Sequence, residues 1–278
     1  MSVQVSPEEL EEYRDFAVEV ATKAGEMIKK AFYKTKTVTN KGSGVDPVTE
    51  TDKAVEKWVI GFIKERYPEH RFIGEETTDL DAPFDFRDDL TWIVDPIDGT
   101  NNFVHNVPEV AFSMGLTANK KVIVGVVNLP VLDLMYTSMK GHGSYCNGRK
   151  LVTGSVEELK KSIVIYDTSV LRTPWNVDTV LKNVRNIITK THGLRTYGTA
   201  AVHCCKMAEG HAQAFVEYGL YCWDFVAGLL IAQEAGVHVM DPDGGPCDLM
   251  GHRILMGCTA KVANELSAMI THHKMHRP

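Results

Sequence analysis

The 278-residue sequence has no apolar run long enough to cross a bilayer, and its first residues, MSVQVSPEELEE, lack both the basic start and the apolar core of a signal peptide. The expectation is a cytoplasmic protein with no membrane partner. Positive charge is not in excess either. A net charge of −6 argues against general affinity for nucleic acid, whose backbone such a surface repels. Cys146, Cys204, Cys205, Cys222, Cys247 and Cys258 show no CxxC spacing, which speaks against a zinc or dithiol redox centre and predicts reduced, mostly buried thiols. The histidines form no zinc pattern. His203 and His211 are expected to flank a short helix, and His272, His273 and His276 to lie in a solvated tail. Internal repeats and low-complexity linkers are also missing. What remains, 44% hydrophobic and 24% charged residues, suits one globular protein with a substantial core.

Against this plain background, one stretch carries most of the chemistry: Trp92 to Phe103, WIVDPIDGTNNF. Leu90, Trp92, Ile93 and Val94 read as a buried strand, and Pro96 is expected to end the ladder, so the chain turns where Asp95 and Asp98 stand. Carboxylates at the carboxyl end of a strand occupy the place where open α/β sheets bind ligands. Oxygen donors of this kind suit Mg2+ or Mn2+, and Mg2+ completes its octahedron with water and substrate phosphate. Gly99, Thr100 and Asn101 follow with backbone N–H groups suited to an anion. Asp-Pro and Asp-Gly are also common turn pairs, so the motif alone is equally compatible with a decorated loop.

Two further segments have the same character. Phe72-Ile73-Gly74-Glu75-Glu76 is a short apolar run ending in adjacent glutamates, which are costly to bury without a cation but ordinary on a surface. In Tyr221-Cys222-Trp223-Asp224-Phe225, Asp224 falls in the first turn of a helix that runs to Gly236 and is apolar on more than one face. A carboxylate there is favoured as a cap whether or not it binds a metal.

Taken in order, the three segments resemble the inositol monophosphatase family, the Mg2+-dependent, lithium-sensitive phosphomonoesterases of the sugar phosphatase group. The WxxDPxDGTxNF signature is complete, the GEE element is Gly74-Glu75-Glu76, the WD element is Trp223-Asp224, and the similarity runs from about Phe16 to Ala260. The resemblance implies an α/β fold, a layered αβαβα sandwich, forming a single catalytic unit over residues 1–278. Two intimately packed subdomains would divide near the middle of the chain, and the protein would form a homodimer. It implies hydrolysis of inositol monophosphates by direct attack of metal-activated water, with Mg2+ as cofactor and Mn2+ as a substitute. Glu75, Asp95 and the Ile97 carbonyl would hold one metal and Asp95, Asp98 and Asp224 a second, with Glu76 in an outer position. Thr100, Glu75 and Asp52, the last from a DxVTxxD-like element, would serve the attacking water, with Asp52 hydrogen-bonded to Thr100. Gly99 and Thr100 would cradle phosphate, and Asp98, Ala200 and Glu217 would contact the substrate ring.

Local patterns supply the rest. Ser6, Pro7 and Glu9 form a helix start with a capping box, followed by Leu10, Tyr13, Phe16, Ala17, Val20 and Ala24 at helical spacing. Thr49 or Thr51 reads as the cap of a second helix, preceded by the loop KGSGVD containing Lys41 and Gly42. Strands are predicted near residues 110–118, 122–128, 132–138, 162–166, 212–217 and 237–240, and helices near 176–189, 199–209 and 259–270. Asn119-Lys120 reads as a hairpin connection and residues 79–89 as an acidic surface loop. The rival functions are a bisphosphate nucleotidase, a fructose 1,6-bisphosphatase and a non-enzymatic binding protein on the same framework. The departure from the family pattern at Ser169 to Arg172 leaves ring preference less fixed than the phosphatase chemistry.

Overall fold

Ser6 opens the first helix as its sequence predicts: its side chain accepts from the Glu9 N–H while Glu9 reaches back to the Ser6 N–H. The computed structural model describes residues 3–36, 38–41, 46–80, 82, 84–167 and 174–273. Its first half comprises α1 (Pro7–Phe32), β1 (Val38–Lys41), β2 (Asp46–Thr49), α2 (Glu50–Arg66), β3 (Arg71–Gly74), β4 (Thr91–Asp98), α3 (Thr100–Val104), β5 (Ala111–Ala118), β6 (Lys121–Leu129), β7 (Leu134–Met139), β8 (Ser144–Cys146) and β9 (Arg149–Lys150). The second comprises β10 (Ile163–Tyr166), α4 (Pro174–Lys190), β11 (Gly193–Arg195), α5 (Ala200–Ala208), β12 (Ala214–Tyr218), α6 (Cys222–Glu234), β13 (His238–Met240), β14 (Arg253–Gly257) and α7 (Ala260–Met269).

Strands β3 to β9 form a seven-stranded sheet in chain order, parallel at β3–β4 and antiparallel elsewhere. The second sheet has the order β11-β10-β12-β14-β13, with β10 parallel to both neighbours and β14 antiparallel to both of its own. The apolar stripes of α1 and α2 cover one face of the first sheet through Phe16, Val20, Val59, Trp92 and Phe112. Between the sheets lie α5 and α6, and α7 covers the far face of the second sheet through Val262 and Leu266. The result is the expected αβαβα sandwich.

The middle layer explains why α6 is apolar all round: it has a sheet or a helix on every side. Its backbone approaches so closely that glycines are required opposite it. A Cβ on Gly125 of β6 would stand 2.6 Å from the Ala227 carbonyl oxygen, and one on Gly228 would stand 2.5 Å from the Cys204 Cβ on α5. The N-terminal turn of α6 is thereby fixed against the first sheet, and Ser113 of β5 donates to the Trp223 carbonyl at 3.2 Å.

Several local expectations need correction. Pro96 does not end the ladder: β4 continues to Asp98, with a register shift between Asp95 and Asp98 that absorbs the missing N–H. Between the loop and α2 the chain forms a strand not anticipated, β2, which pairs with β1, and Thr49 is the cap of α2. The run Arg253–Gly257, not anticipated, forms the fourth strand of the second sheet. His203 lies inside α5 rather than beside it. His272 and His273 are not in a solvated tail: His272 Nδ1 lies 2.9 Å from the Tyr218 hydroxyl, and buried His273 Nε2 lies 3.0 Å from the Tyr166 hydroxyl. His276 and Gly42 lie outside the described residues. All six cysteines are free thiols, five of them buried and Cys247 partly so.

Replacing Gly125 with Ala drives a methyl group into a backbone carbonyl that cannot move aside. We expect Gly125→Ala to lose about 1–3 kcal/mol of stability, read as a lower urea midpoint, whereas Gly61→Ala, with open space around its Cβ, does not.

Candidate active site

The predicted site residues come from elements far apart in the chain. Glu75 is the first residue beyond β3, and its N–H donates to the Val94 carbonyl on the neighbouring parallel strand at 3.3 Å. Asp95, Ile97 and Asp98 occupy the irregular end of β4, where the Ile97 N–H donates to Asp95 Oδ1 at 3.0 Å. Asp224 lies in the first turn of α6 and accepts from the Tyr221 N–H at 2.6 Å, acting as the cap its position suggested. The cap orients the carboxylate without neutralising it.

The charges of these carboxylates act on Asp95 and Asp224. Burial pushes the Asp95 carboxyl well above the ordinary range, and the charges of Glu75, Asp98 and Asp224 push it further. Burial likewise raises Asp224, with Asp98 and Glu75 adding to the effect. Asp98 is pushed up to about 6 by burial, against hydrogen bonds from Thr199 and Ala201 that favour the charged form. Its Oδ2 accepts from the Thr199 hydroxyl and the Ala201 N–H, both at 2.7 Å. The start of α5 is thus tied to the end of β4. Ala200 stands between those two donors.

Gly99 connects β4 to α3 with a left-handed φ of 88°, and a Cβ there would meet the Glu109 carbonyl at 3.1 Å and the Thr199 methyl at 3.2 Å. Glycine is required on both counts. Thr100 Oγ1 lies 3.3 Å from Asp52 Oδ1 and 3.1 Å from the Ile97 carbonyl oxygen, so one hydroxyl links the motif to α2. Asp52 is pinned from the other side, where Oδ2 accepts from the Thr49 N–H at 3.0 Å and from the Thr49 hydroxyl. Asn102 fastens the same turn to the second half of the chain, donating to the carbonyls of Glu109 and Tyr197 at 2.7 Å.

Glu217 points inward from β12 and is 5% exposed. Its Oε2 lies 2.9 Å from His203 Nδ1, and burial, followed by the charges of Asp167 and Asp98, raises its carboxyl well above the ordinary range. Sequence reasoning missed His203, Asp167, Thr196 and Thr199. A signal did exist: a histidine inside the apolar helix AAVHCCKMA needs a buried polar partner. Glu56 was also missed. From α2 its Oε2 accepts the Glu76 N–H at 2.9 Å, so it fixes the turn carrying Glu75 and Glu76. Ser169 to Arg172 lie outside the described residues.

The donor set fits a hard divalent cation. Glu75, Asp98 and Asp224 all act on Asp95, the influences raising Asp95 and Asp224 are burial and other carboxylates, and a multivalent cation would relieve both. The nearby trio Asp167, His203 and Glu217, whose ligand-type atoms lie within 4.8 Å of one another, is different. There the Tyr197 N–H donates to His203 Nε2 at 3.0 Å and Nδ1 engages Glu217, so both ring nitrogens already have partners.

Burial raises the Asp52 carboxyl to about 6 as well, and the Glu76 charge adds to it. Because a raised carboxyl binds protons more readily folded than unfolded, its contribution is present near pH 4 and is lost as pH rises toward 6. A shift of this size is worth about 3 kcal/mol at most. In EDTA, Asp52→Asn should therefore lose less thermal stability than wild type between pH 4.5 and about 6.5. Parallel melting curves of the two proteins over that range would contradict the assignment.

Residues 9–275 match the model of the Inositol monophosphatase family. Inositol monophosphatase 1 from Homo sapiens is 43% identical over 261 residues, covering 94% of each chain. Among solved structures, the extragenic suppressor protein suhB from Bartonella henselae superposes with a TM-score of 0.83 at 29% identity, covering 92% of this chain and 96% of that one. The SaIMPase-II structures with inositol monophosphate and with 2'AMP bound both give a TM-score of 0.77 at 29% identity, covering 91% of this chain and 91% and 92% of theirs. With the fold, the motif geometry and a match over nearly its whole length in agreement, the chain belongs to the inositol monophosphatase family.

Proposed function

We propose that the chain is a Mg2+-dependent phosphatase that hydrolyses inositol monophosphates to inositol and inorganic phosphate. The observation that carries this reading is the grouping of half-buried Glu75 and Asp224 with buried Asp95 and Asp98, like charges that the fold brings together. Glu75, Asp95 and the Ile97 carbonyl would hold one cation and Asp95, Asp98 and Asp224 another, with Glu76 in an outer position and Mn2+ as a substitute. The Ile97 carbonyl has two lone pairs, so its contact with Thr100 does not prevent this. A bound divalent cation supplies Lewis-acid charge, lowering the pKa of a coordinated water and stabilising charge on phosphate and leaving oxygen.

The chain's own residues supply position. Thr100 and Glu75 hold the attacking water, and Asp52, pinned by Thr49, aligns the Thr100 hydroxyl through their 3.3 Å contact. Water adds to phosphorus, the ester P–O bond breaks, a proton leaves the water toward this carboxylate network, and the released oxygen takes a proton from solvent. Gly99 and Thr100 place backbone N–H groups against the phosphate. Asp98, Ala200 and Glu217 face the ring hydroxyls. The inositol monophosphate bound to SaIMPase-II supports the substrate class. Family membership supports the remaining parts of the proposal: a cytoplasmic homodimer, two packed subdomains in one catalytic unit, and inhibition by lithium.

The alternative with a specific observation behind it is hydrolysis of nucleotide esters, since SaIMPase-II also binds 2'AMP. Phosphate release from inositol 1-phosphate, 2'AMP, adenosine 3',5'-bisphosphate and fructose 1,6-bisphosphate, each with and without Mg2+, separates these readings. We expect Mg2+-dependent turnover with the inositol ester preferred. Preference for a nucleotide or a bisphosphate would overturn the substrate assignment, and no turnover of any ester would favour a binding protein. Asp95→Asn should lower kcat by at least about 100-fold, and full activity in saturating Mg2+ would refute the ligand assignment.

A further inference from the structure

We infer that His203 is a positioning and specificity-determining residue, which holds the Glu217 carboxylate in the orientation that recognises the hydroxyl groups of the substrate ring. This rests on the reading of Glu217 proposed above. His203 is completely buried in α5, and two neighbours fix its ring. The backbone N–H of Tyr197 donates to Nε2 at 3.0 Å, so Nε2 bears the lone pair. A neutral ring then carries its proton on Nδ1, which faces Glu217 Oε2 at 2.9 Å and donates to it. An imidazolium would place a second proton against the Tyr197 N–H, and a metal on Nε2 would displace that donor.

Around the ring the structure shows further hydrogen bonds that hold its neighbours in place. The Thr196 hydroxyl donates to Asp167 Oδ2 at 2.5 Å, and Asp167 stands 3.7 Å from His203 Nε2, beyond hydrogen-bond reach. Asn102 of the DPIDGTNNF turn donates to the Tyr197 carbonyl at 2.7 Å, while the Tyr197 N–H fixes the ring. One peptide segment therefore links the phosphate turn to His203, and His203 links it to Glu217. With Oε2 held by the imidazole, Oε1 is the oxygen presented to a substrate hydroxyl. A site that accepts from a hydroxyl discriminates against esters lacking one, provided the acceptor does not swing away.

The test compares inositol 1-phosphate with p-nitrophenyl phosphate, which has no ring hydroxyls. His203→Phe removes both polar atoms, and His203→Asn keeps an amide donor near the position of Nδ1. We expect His203→Phe to raise KM for inositol 1-phosphate about tenfold with kcat little changed. Its kcat/KM for p-nitrophenyl phosphate should stay within about twofold of wild type, and His203→Asn should recover most of the loss. Adding Glu217→Gln to His203→Phe should cost nothing beyond Glu217→Gln alone.

If Glu217→Gln is selective for the inositol ester and His203→Phe is not, the positioning role falls and the substrate reading stands. If Glu217→Gln impairs both esters equally, the reading of Glu217 itself fails. Nitrogen-15 spectra of the wild-type protein give a second readout that needs no variant to fold. His203 should show a protonated Nδ1 and an unprotonated Nε2, whereas the opposite tautomer or an imidazolium would overturn the inference.

Discussion

Like charges gathered around two buried aspartates set the terms for the rest of this molecule. The charges of Glu75 and Asp98 raise the proton affinity of both Asp95 and Asp224, and a chain free to relax would separate these groups. They stay together because each is anchored by something apolar and rigid. Asp95 and Asp98 lie in a strand whose every residue is buried, Glu75 follows the strand paired in parallel with it, and Asp224 begins a helix packed between two sheets. The close contacts of Gly125 and Gly228 around α6 belong to this arrangement, because a looser fit there would let Asp224 retreat. Packing free energy is thereby spent on electrostatic preorganisation.

Hydrogen bonds then set directions within the frame that packing creates. Thr199 and Ala201 aim Asp98, the Tyr221 N–H aims Asp224, Thr49 aims Asp52, and Glu56 holds the peptide between Glu75 and Glu76. Most of these partners are backbone groups or short hydroxyl side chains, which lose little conformational entropy on ordering. The orientation of the acidic groups is therefore a property of the backbone path, and that path depends on Gly99 in its left-handed conformation.

Much of this was legible in the sequence where the signal was local. The capping box at Ser6, the strands β5 and β6 and the three acidic motifs could all be read from neighbouring residues. Signals that depended on distant partners were not legible. Pro96 reads as the end of a strand because its missing N–H would break a ladder, yet the register shift in β4 removes the need for that N–H. Arg253–Gly257 is a short run beside glycines whose identity as a strand depends on both β12 and β13. His203 and Glu217 stand on different elements 14 positions apart, so no periodicity within one element pairs them, and only the packing of α5 on β12 brings them together. His272 and His273 look terminal in sequence but find tyrosines on the second sheet.

The two ends of the site are built from different parts of the chain. On the proposed reading, the cation side belongs to the first sheet, α2 and the opening turn of α6. The ring-facing side belongs to β12, α5 and the segment after β11, joined to the first by Asn102 and by the two donors on Asp98. Such a partition separates the heritable risks of change. Substitutions among Asp167, Thr196, His203 and Glu217 can retune which alcohol is accepted while the phosphate-cleaving apparatus stays intact, so a lineage carrying this architecture could drift among substrates without first losing catalysis.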